Sequence, residues 1–298
     1  MNLVFLCYKV KYYIRLMKYG ILFLLSFFIF SCDDPSLEDP NSDIDEVLEP
    51  VSDLRQLSSI QVAFNSATNV TRDINFIYNN LDLLSTIIES GSVDQTTLAS
   101  YSNGNKLEQL DINDNVFPAL NISVAYGNDD SIQAVAIVEI SYTDIAGIFY
   151  NKTLYVDAQN RFNRVVTTET SLGGVTAQVE ELRLQYSQNF NVLRIEEIAN
   201  DGFTVIGYSD FTYNFNTNPF TDMNDIIRLF MFDEFIPYSR YLPATRLDYD
   251  LSTGIAVLEQ SIDYQYTLDN DGYPVSRELQ VTEGMMTSSY FEFFNYRP

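Results

Sequence analysis

The stretch YNNLDLLSTI, residues 78–87, carries the pattern that decides the fold. Tyr78 is followed six residues later by Leu84 and three residues after that by Ile87, and the positions between are mainly polar. Across the copies of this pattern the intervening residues are Asn, Asp, Gln, Gly and Ser, which tolerate tight turns. The spacing recurs, with one extra residue in two copies and more loosely in one, at Tyr126, Tyr186, Tyr249, Tyr155, Tyr266 and Tyr213.

The segments that flank these turns alternate apolar and polar residues, as half-buried strands do. Examples are NISVAY at residues 121–126 and SIDYQY at residues 261–266. Each unit therefore predicts a β-hairpin whose tyrosine closes the first strand. Hairpins cannot bury their apolar faces alone, and the uneven tyrosine spacing argues against a strict solenoid. We expect a mainly β fold, an antiparallel sheet of repeated hairpins that is curved or rolled.

One segment interrupts the hairpins, TDMNDIIRLFMFDEF at residues 221–235. Thr221, Asn224 and Asp225 are typical of a helix start. A short helical insert near residues 222–235, covering one end of the sheet, is therefore predicted. Its apolar stripe consists of Ile226, Ile227, Phe230 and Met231.

The N-terminus has the layout of a secretory signal, with a basic region, a short apolar core and a small residue before a cysteine. Ile29, Phe30, Ser31 and Cys32 resemble a bacterial lipobox, in which Cys32 becomes the lipid-bearing first residue. We expect residues 1–31 to be a lipoprotein signal peptide, with translation starting at residue 1 or 17. The alternative is a buried cysteine in a membrane-anchoring helix, but the apolar core is too short to span a bilayer.

After Cys32 the chain changes character and becomes acidic. Residues 33–53 contain nine acids, three prolines and no base, which predicts a solvated, lipidated tether over residues 32–52. The remaining residues, 53–298, are expected to form a single β-rich domain. The predicted location is the cell envelope, as an outer-membrane lipoprotein facing the periplasm or the exterior, held to the membrane through the lipid on Cys32.

Composition excludes several classes of function. Removal of the signal leaves 13 basic and 41 acidic residues, a formal charge of about −28, so nucleic acid is not an expected partner. The chain has no histidine, and its two cysteines precede the domain. Triads built on histidine and cysteine or histidine metal sites are therefore excluded. Chemistry based on carboxylates, Tyr, Ser or Lys stays open.

The hairpin pattern, the lipobox and the segments YNFNTNPF and YQYTLDNDGYPVSREL resemble a group of Bacteroidetes cell-envelope lipoproteins of unknown function. Their hairpins are similar to tyrosine-aspartate (YD/RHS-type) repeats. The resemblance covers roughly residues 73–298. It implies a β-rich lipoprotein and supplies no catalytic residues.

The strongest candidate for ligand chemistry is TLDNDGYPVSRE, residues 267–278. Asp269, Asp271 and Glu278 stand where a calcium loop of the EF-hand type has ligands. The first position is Thr instead of Asp and the flanks read as strands. The alternative is that Asn-Asp-Gly forms a hairpin turn, and this interpretation is favoured. No other cofactor is indicated.

Carboxylate pairs could support glycoside hydrolysis, but that chemistry depends on spatial separation and not on adjacency in sequence. The adjacent pairs are Glu180 with Glu181, Glu196 with Glu197, and Asp233 with Glu234.

The favoured function is a non-enzymatic, lipid-anchored envelope protein that acts in binding or assembly. Its expected partner is a glycan or another envelope protein. Two alternatives remain open, a carboxylate-based polysaccharide hydrolase and a purely structural partner in an envelope complex.

Overall fold

The computed structural model describes residues 55–92, 94–102, 105–115, 119–127, 136–221, 223–231 and 239–298. The predicted signal peptide, the lipidation site Cys32 and the acidic tether lie outside these residues and stay predictions.

The described residues form sixteen strands and one helix. The strands in the first half of the chain are β1 (Leu57–Phe64), β2 (Val70–Tyr78), β3 (Leu84–Gly91), β4 (Gln95–Tyr101), β5 (Leu107–Asp114), β6 (Leu120–Gly127), β7 (Ala136–Thr143) and β8 (Phe149–Val156). Those in the second half are β9 (Phe162–Thr170), β10 (Thr176–Tyr186), β11 (Val192–Ile198), β12 (Val205–Thr217), β13 (Tyr241–Asp250), β14 (Val257–Leu268), β15 (Pro274–Glu283) and β16 (Met286–Tyr296). The helix, α1 (Asp225–Met231), lies between β12 and β13.

The strands form one closed antiparallel barrel. Each strand pairs with its neighbours in sequence, and β16 pairs with β1 to complete the ring. The closing register places Leu57 opposite Tyr296 and Phe64 opposite Tyr290. The predicted mainly β, antiparallel sheet of hairpins is confirmed. The sequence indicated curvature, and the structure adds that the sheet closes on itself.

Consecutive antiparallel pairing divides the turns between two ends of the barrel. We call one the near end, where the turns that follow β2, β4, β8, β10 and β14, the α1 insert and both ends of the described chain lie. The far end is the opposite one, where the turns that follow the odd-numbered strands lie. Arg297 N–H donates to the carbonyl of Gln56, which joins the two chain ends at the near end.

Side chains alternate across the barrel wall with the period of two that strands impose. On β6, Ile122 and Val124 are buried while Asn121 and Ser123 are exposed, and β14 repeats the pattern with Ile262 and Tyr264. The alternation predicted for both segments is confirmed. On these two strands the inner positions are apolar and most outer positions are polar.

The inner face forms the core. A round barrel of sixteen strands would leave an aqueous channel, but among the described residues buried apolar side chains from twelve strands pack together with the α1 insert. Within the described residues, no helix is long and apolar enough to cross a membrane. The least exposed core side chains are Leu57, Ile60, Leu107, Leu110, Ile122, Ile140, Leu154, Val192 and Ile227.

Candidate functional site

The repeated tyrosines close the hairpins at the near end. Tyr78 Oη, at the end of β2, donates to the carbonyl of Leu57, at the start of β1, over 2.8 Å. Each such bond joins the two open strand ends of one hairpin, so we call it a tyrosine clasp. Four further clasps join Tyr101 to Leu84, Tyr186 to Phe162, Tyr213 to Val192 and Tyr296 to Pro274. Tyr126 also hydrogen-bonds the backbone of Leu107.

Burial controls the ionisation of these phenols. It raises the pKa of Tyr101 to about 12, and the pKa values of Tyr186, Tyr213 and Tyr296 are raised further for the same reason. The clasps therefore keep their donor proton throughout the physiological pH range.

The spacing pattern identified most of the clasp tyrosines, but it also included a tyrosine that forms no clasp. Tyr101 has the same spacing to Leu107 and Leu110 and was not included in the predicted set. Tyr249 was included, yet it lies near the far end on the outer face, where its ring stacks on Tyr208 at 4.7 Å between centroids. Spacing alone cannot separate the two because near-end and far-end turns alike can follow a tyrosine at the end of a strand, as Tyr78 and Tyr249 show.

Four near-end turns share one construction. Asn79 Oδ1 accepts hydrogen bonds from the backbone N–H groups of Leu81 and Leu83, at 2.9 and 3.1 Å. The same two bonds form at Asp157, Ser187 and Asp269. Side chains of this kind stabilise a turn by taking up its unpaired donors.

The calcium candidates are partly brought together. Asp269 and Asp271 both accept hydrogen bonds from the Arg55 guanidinium, which also lies 5.2 Å from the Tyr273 ring centroid. Hydrogen bonds from the turn and the charge of Arg55 lower the pKa of Asp269. Glu278 lies on β15, where it accepts a hydrogen bond from Gln280. Among the described residues no group of three or more acidic side chains is arranged to hold a metal ion.

The α1 insert covers the near end, as predicted. Asn224 Oδ1 accepts a hydrogen bond from the Ile226 N–H, which caps the helix start. Ile226 and Ile227 are buried in the core, and Phe220 packs edge-on against Phe294 at 6.2 Å. Residues 232–235 of the predicted insert lie outside the described residues.

A cleft of ≈ 320 Å³ opens beside the insert. It has the volume of a small ligand site. Its lining is mostly polar and includes Asp82, Tyr101, Asn105, Thr221, Asn224 and Arg228.

Charged pairs occupy the inner face toward the far end. Arg72 Nε donates to Glu89 at 2.7 Å, and Lys152 donates to Glu180 at 3.2 Å. Arg246 and Asp248 form a third pair. Buried charges are tolerated when paired in this way. The inner face therefore carries ion pairs as well as apolar side chains. These three pairs lie toward the far end, and a further pair, Arg277 with Glu292, lies closer to the near end.

The outer face carries its own ion pairs. Glu181 is 1% exposed because Arg164 and Arg183 lie over it, at 3.0 and 2.9 Å. Burial opposes ionisation of Glu181, but hydrogen bonds and charge from the two guanidinium groups outweigh it and lower the pKa. Arg194 pairs with Asp210 and stacks on Tyr208.

The adjacent carboxylates considered for hydrolysis are separated by the wall. Glu180 faces inward to Lys152, whereas Glu181 faces outward to Arg164 and Arg183. Glu196 bonds Gln185 on the outer face, and the Glu197 side chain lies beside Gly207 on the inner one. Neither pair forms a two-carboxylate site. Asp233 and Glu234 lie outside the described residues.

The far end exposes large apolar side chains on five turns, those that follow β7, β9, β11, β13 and β15. They comprise residues 144–148, 171–175, 199–204, 251–256 and 284–285. Leu172 is 82% exposed, Phe203 85% and Ile255 72%. Contiguous exposed apolar surface commonly marks an interaction site. No sequence signal used above pointed to these positions, because single apolar residues in turns have no periodicity. We call this set the apolar rim: Ile145, Leu172, Val175, Phe203, Ile255 and Met285.

No protein-family model and no curated protein matches this chain. Among solved structures, a porin-like protein from Bacteroides uniformis ATCC 8492 is 16% identical with a TM-score of 0.49, and the match covers 81% of this chain and 98% of that one. A porin-like protein from Bacteroides vulgatus ATCC 8482 is 12% identical with a TM-score of 0.40, covering 82% and 99%. Function is therefore inferred below from the chain's own residues.

Proposed function

We propose that this protein is a non-enzymatic binding or assembly component of the cell envelope, tethered at the near end of its barrel and engaging a partner with the far end. The observation that carries the proposal is the apolar rim, six exposed apolar side chains on neighbouring far-end turns. Exposing such residues to water is unfavourable, so a partner that covers them gains binding energy.

The position of the chain ends supports this orientation. The described chain begins at Arg55, which is held at the near end by Asp269 and Asp271. The predicted lipid on Cys32 precedes Arg55 by 23 residues. That length of chain spans at most about 80 Å when extended. A barrel anchored in this way can turn its far end away from the membrane.

The outer face supports a barrel surrounded by water. A membrane-spanning barrel turns an apolar band outward and polar residues inward. Here the outward positions of β14 and β15 are Asp263, Gln265, Glu278 and Gln280, and the inward positions are apolar along much of the wall. Anchoring by lipid, rather than by insertion, fits this arrangement.

The inner face supports a role without catalysis. The core fills much of the near half, the inner-face charges named above are paired with one another, and the adjacent carboxylates point to opposite faces of the wall. A reaction centre needs groups that converge on one substrate. Here Glu180 and Glu181 bond to Lys152 and to two arginines, and Glu196 bonds to Gln185 instead.

Photo-crosslinking in intact cells tests the proposal. A photoreactive phenylalanine analogue at Phe203 of the full chain should give a discrete adduct with an envelope component. The matched control is the same analogue at Phe190, an exposed phenylalanine of a near-end turn. Adducts at both positions, or at Phe190 only, would contradict the proposal, and so would the absence of any adduct at Phe203.

A further inference from the structure

We infer that the apolar rim docks onto a protein surface that has an apolar centre and a margin of Lys and Arg side chains. The inference rests on the proposed function and specifies the chemistry of its partner. Three properties of the rim carry it, namely contiguity, fixed geometry and charge.

Two neighbouring turns of the rim lie against each other. The Leu172 side chain reaches across to the preceding turn, where its Cδ2 lies 3.2 Å from the position that a Cβ on Gly147 would occupy. Gly147 has a φ of 79°. An alanine there would be strained and would also press against Leu172. The two turns therefore pack together through Leu172, which joins residues 144–148 and 171–175 into one part of the rim.

The turns hold their apolar side chains in a fixed geometry. Asp201 accepts hydrogen bonds from the N–H groups of Phe203 and Thr204, both at 2.8 Å, and from the Thr204 hydroxyl at 2.5 Å. Asp144 accepts from the N–H groups of Ala146 and Ile148 at 2.9 Å. Such turns lose little conformational entropy when a partner binds, which favours affinity.

The charge around the rim is mainly negative. The five turns contain no Lys or Arg, whereas Asp144 and Asp201 lie within them. One cation reaches a turn, since Arg183 donates to the carbonyl of Gly202 at 2.6 Å, and it shares Glu181 with Arg164. Further acids stand at the adjoining strand ends, Asp250, Glu259 and Glu283.

An apolar surface with an acidic margin selects among partners. Like charges at close range disfavour binding, so a second copy of this rim and an anionic membrane are both repelled. A protein surface with Lys and Arg around an apolar patch satisfies both features at once. Such complementarity also accelerates association, in a manner that salt weakens.

A defined probe tests this chemistry on the full chain purified in detergent. The probe is a fluorescent amphipathic helix made of leucine and lysine, compared with its leucine and glutamate counterpart. Leu172→Ser with Phe203→Ser removes apolar surface from the rim without changing charge. The matched control is Leu81→Ser with Phe190→Ser, which removes the same two residue types from near-end turns.

We expect the lysine probe to bind and the glutamate probe not to bind, measured by fluorescence anisotropy. The rim variant should weaken binding by about tenfold, whereas the near-end variant leaves it within about twofold. Raising salt should weaken the interaction, because exposed charges are screened. Equal weakening by both variants would show nonspecific attraction to an acidic protein and would overturn the inference.

Two further experiments test whether the rim binds a lipid surface or a second copy of this chain instead. Binding to neutral phosphatidylcholine vesicles that is lost in the rim variant would identify a lipid surface instead of a protein. Dimerisation that is lost in the rim variant, measured by sedimentation, would identify a second copy. Either result would overturn the inference. A crosslink at Phe203 in cells would still support the proposed function in both cases, so failure of the inference and failure of the proposed function are distinguishable.

Discussion

The two ends of the barrel are made of the same hairpins, yet they treat apolar residues in opposite ways. At the near end, tyrosine clasps, the α1 insert and the core bury many of them, while Leu81 and Phe190 stay exposed in separate turns. At the far end, five consecutive turns place theirs in water. A hairpin turn can be made of polar residues alone, so the fold does not require apolar residues in the far-end turns. We therefore infer that the near end provides stability and the far end provides a binding surface.

The largest contrast is expected from shortening one leucine at each end. Leu110→Ala removes a side chain that is 0% exposed, and should lower the free energy of unfolding by about 2–5 kcal/mol because it leaves a cavity. Leu172→Ala, on the rim, should change it by less than about 0.5 kcal/mol. Urea unfolding followed by circular dichroism measures both. Similar losses at the two positions would remove the distinction between the ends.

Breaking one clasp gives the next largest effect. Tyr186→Phe removes the hydroxyl that bonds the Phe162 carbonyl at 2.7 Å, and should cost about 1–3 kcal/mol because a buried acceptor loses its partner. Tyr249→Phe, near the far end, is the control, and should cost less than about 0.5 kcal/mol. The same unfolding assay applies, and a loss at Tyr249 as large as at Tyr186 would contradict a special role for the clasps.

A smaller effect is expected from acid. The pKa of Glu181 is lowered in the folded protein, so its ionised form stabilises the fold above its unfolded value of about 4.3. That contribution should disappear as the pH falls through the folded pKa. Glu181→Gln should therefore make the protein less stable than the wild type at pH 7. The difference in stability between the two proteins should become smaller as the pH falls. Thermal unfolding across pH measures this, and parallel pH profiles would contradict it.

The smallest effect concerns the geometry of one rim turn. Hydrogen bonds from Thr204 and Phe203 lower the pKa of Asp201 to about 2. Thr204→Val removes the hydroxyl donor and should raise that pKa toward about 3.9, the value of an unperturbed aspartate. Carboxyl chemical shifts in an NMR titration report it. No movement would mean that the hydroxyl does not hold the turn.

The sequence predicted the hairpins and the helix start because both depend on local chemistry. Tyrosine spacing, turn residues and the cap at Asn224 act over a few positions and can be read directly. Closure of the barrel depends on β1 meeting β16, a pairing of residues 57–64 with residues 290–296 that no local pattern encodes.

The candidate site was harder to predict for a related reason. Leu172 and Phe203 are single apolar residues in turns, and only the folded ring brings them to the same end. Glu180 and Glu181 are consecutive on one strand, and the period of two places them on opposite faces, so adjacency in sequence did not make them a carboxylate pair. The identity of the residues was visible, but their grouping required the topology.

The most direct test of a stable near end and a binding far end is the size of the native complex in cells. Blue native electrophoresis of envelope extracts compares the full wild-type chain with Leu172→Ser/Phe203→Ser and with Leu81→Ser/Phe190→Ser. We predict that the wild type and the near-end variant migrate in a complex larger than the monomer, while the rim variant migrates as a folded monomer. A complex that survives in the rim variant, or that is lost only in the near-end variant, would contradict this assignment of the two ends.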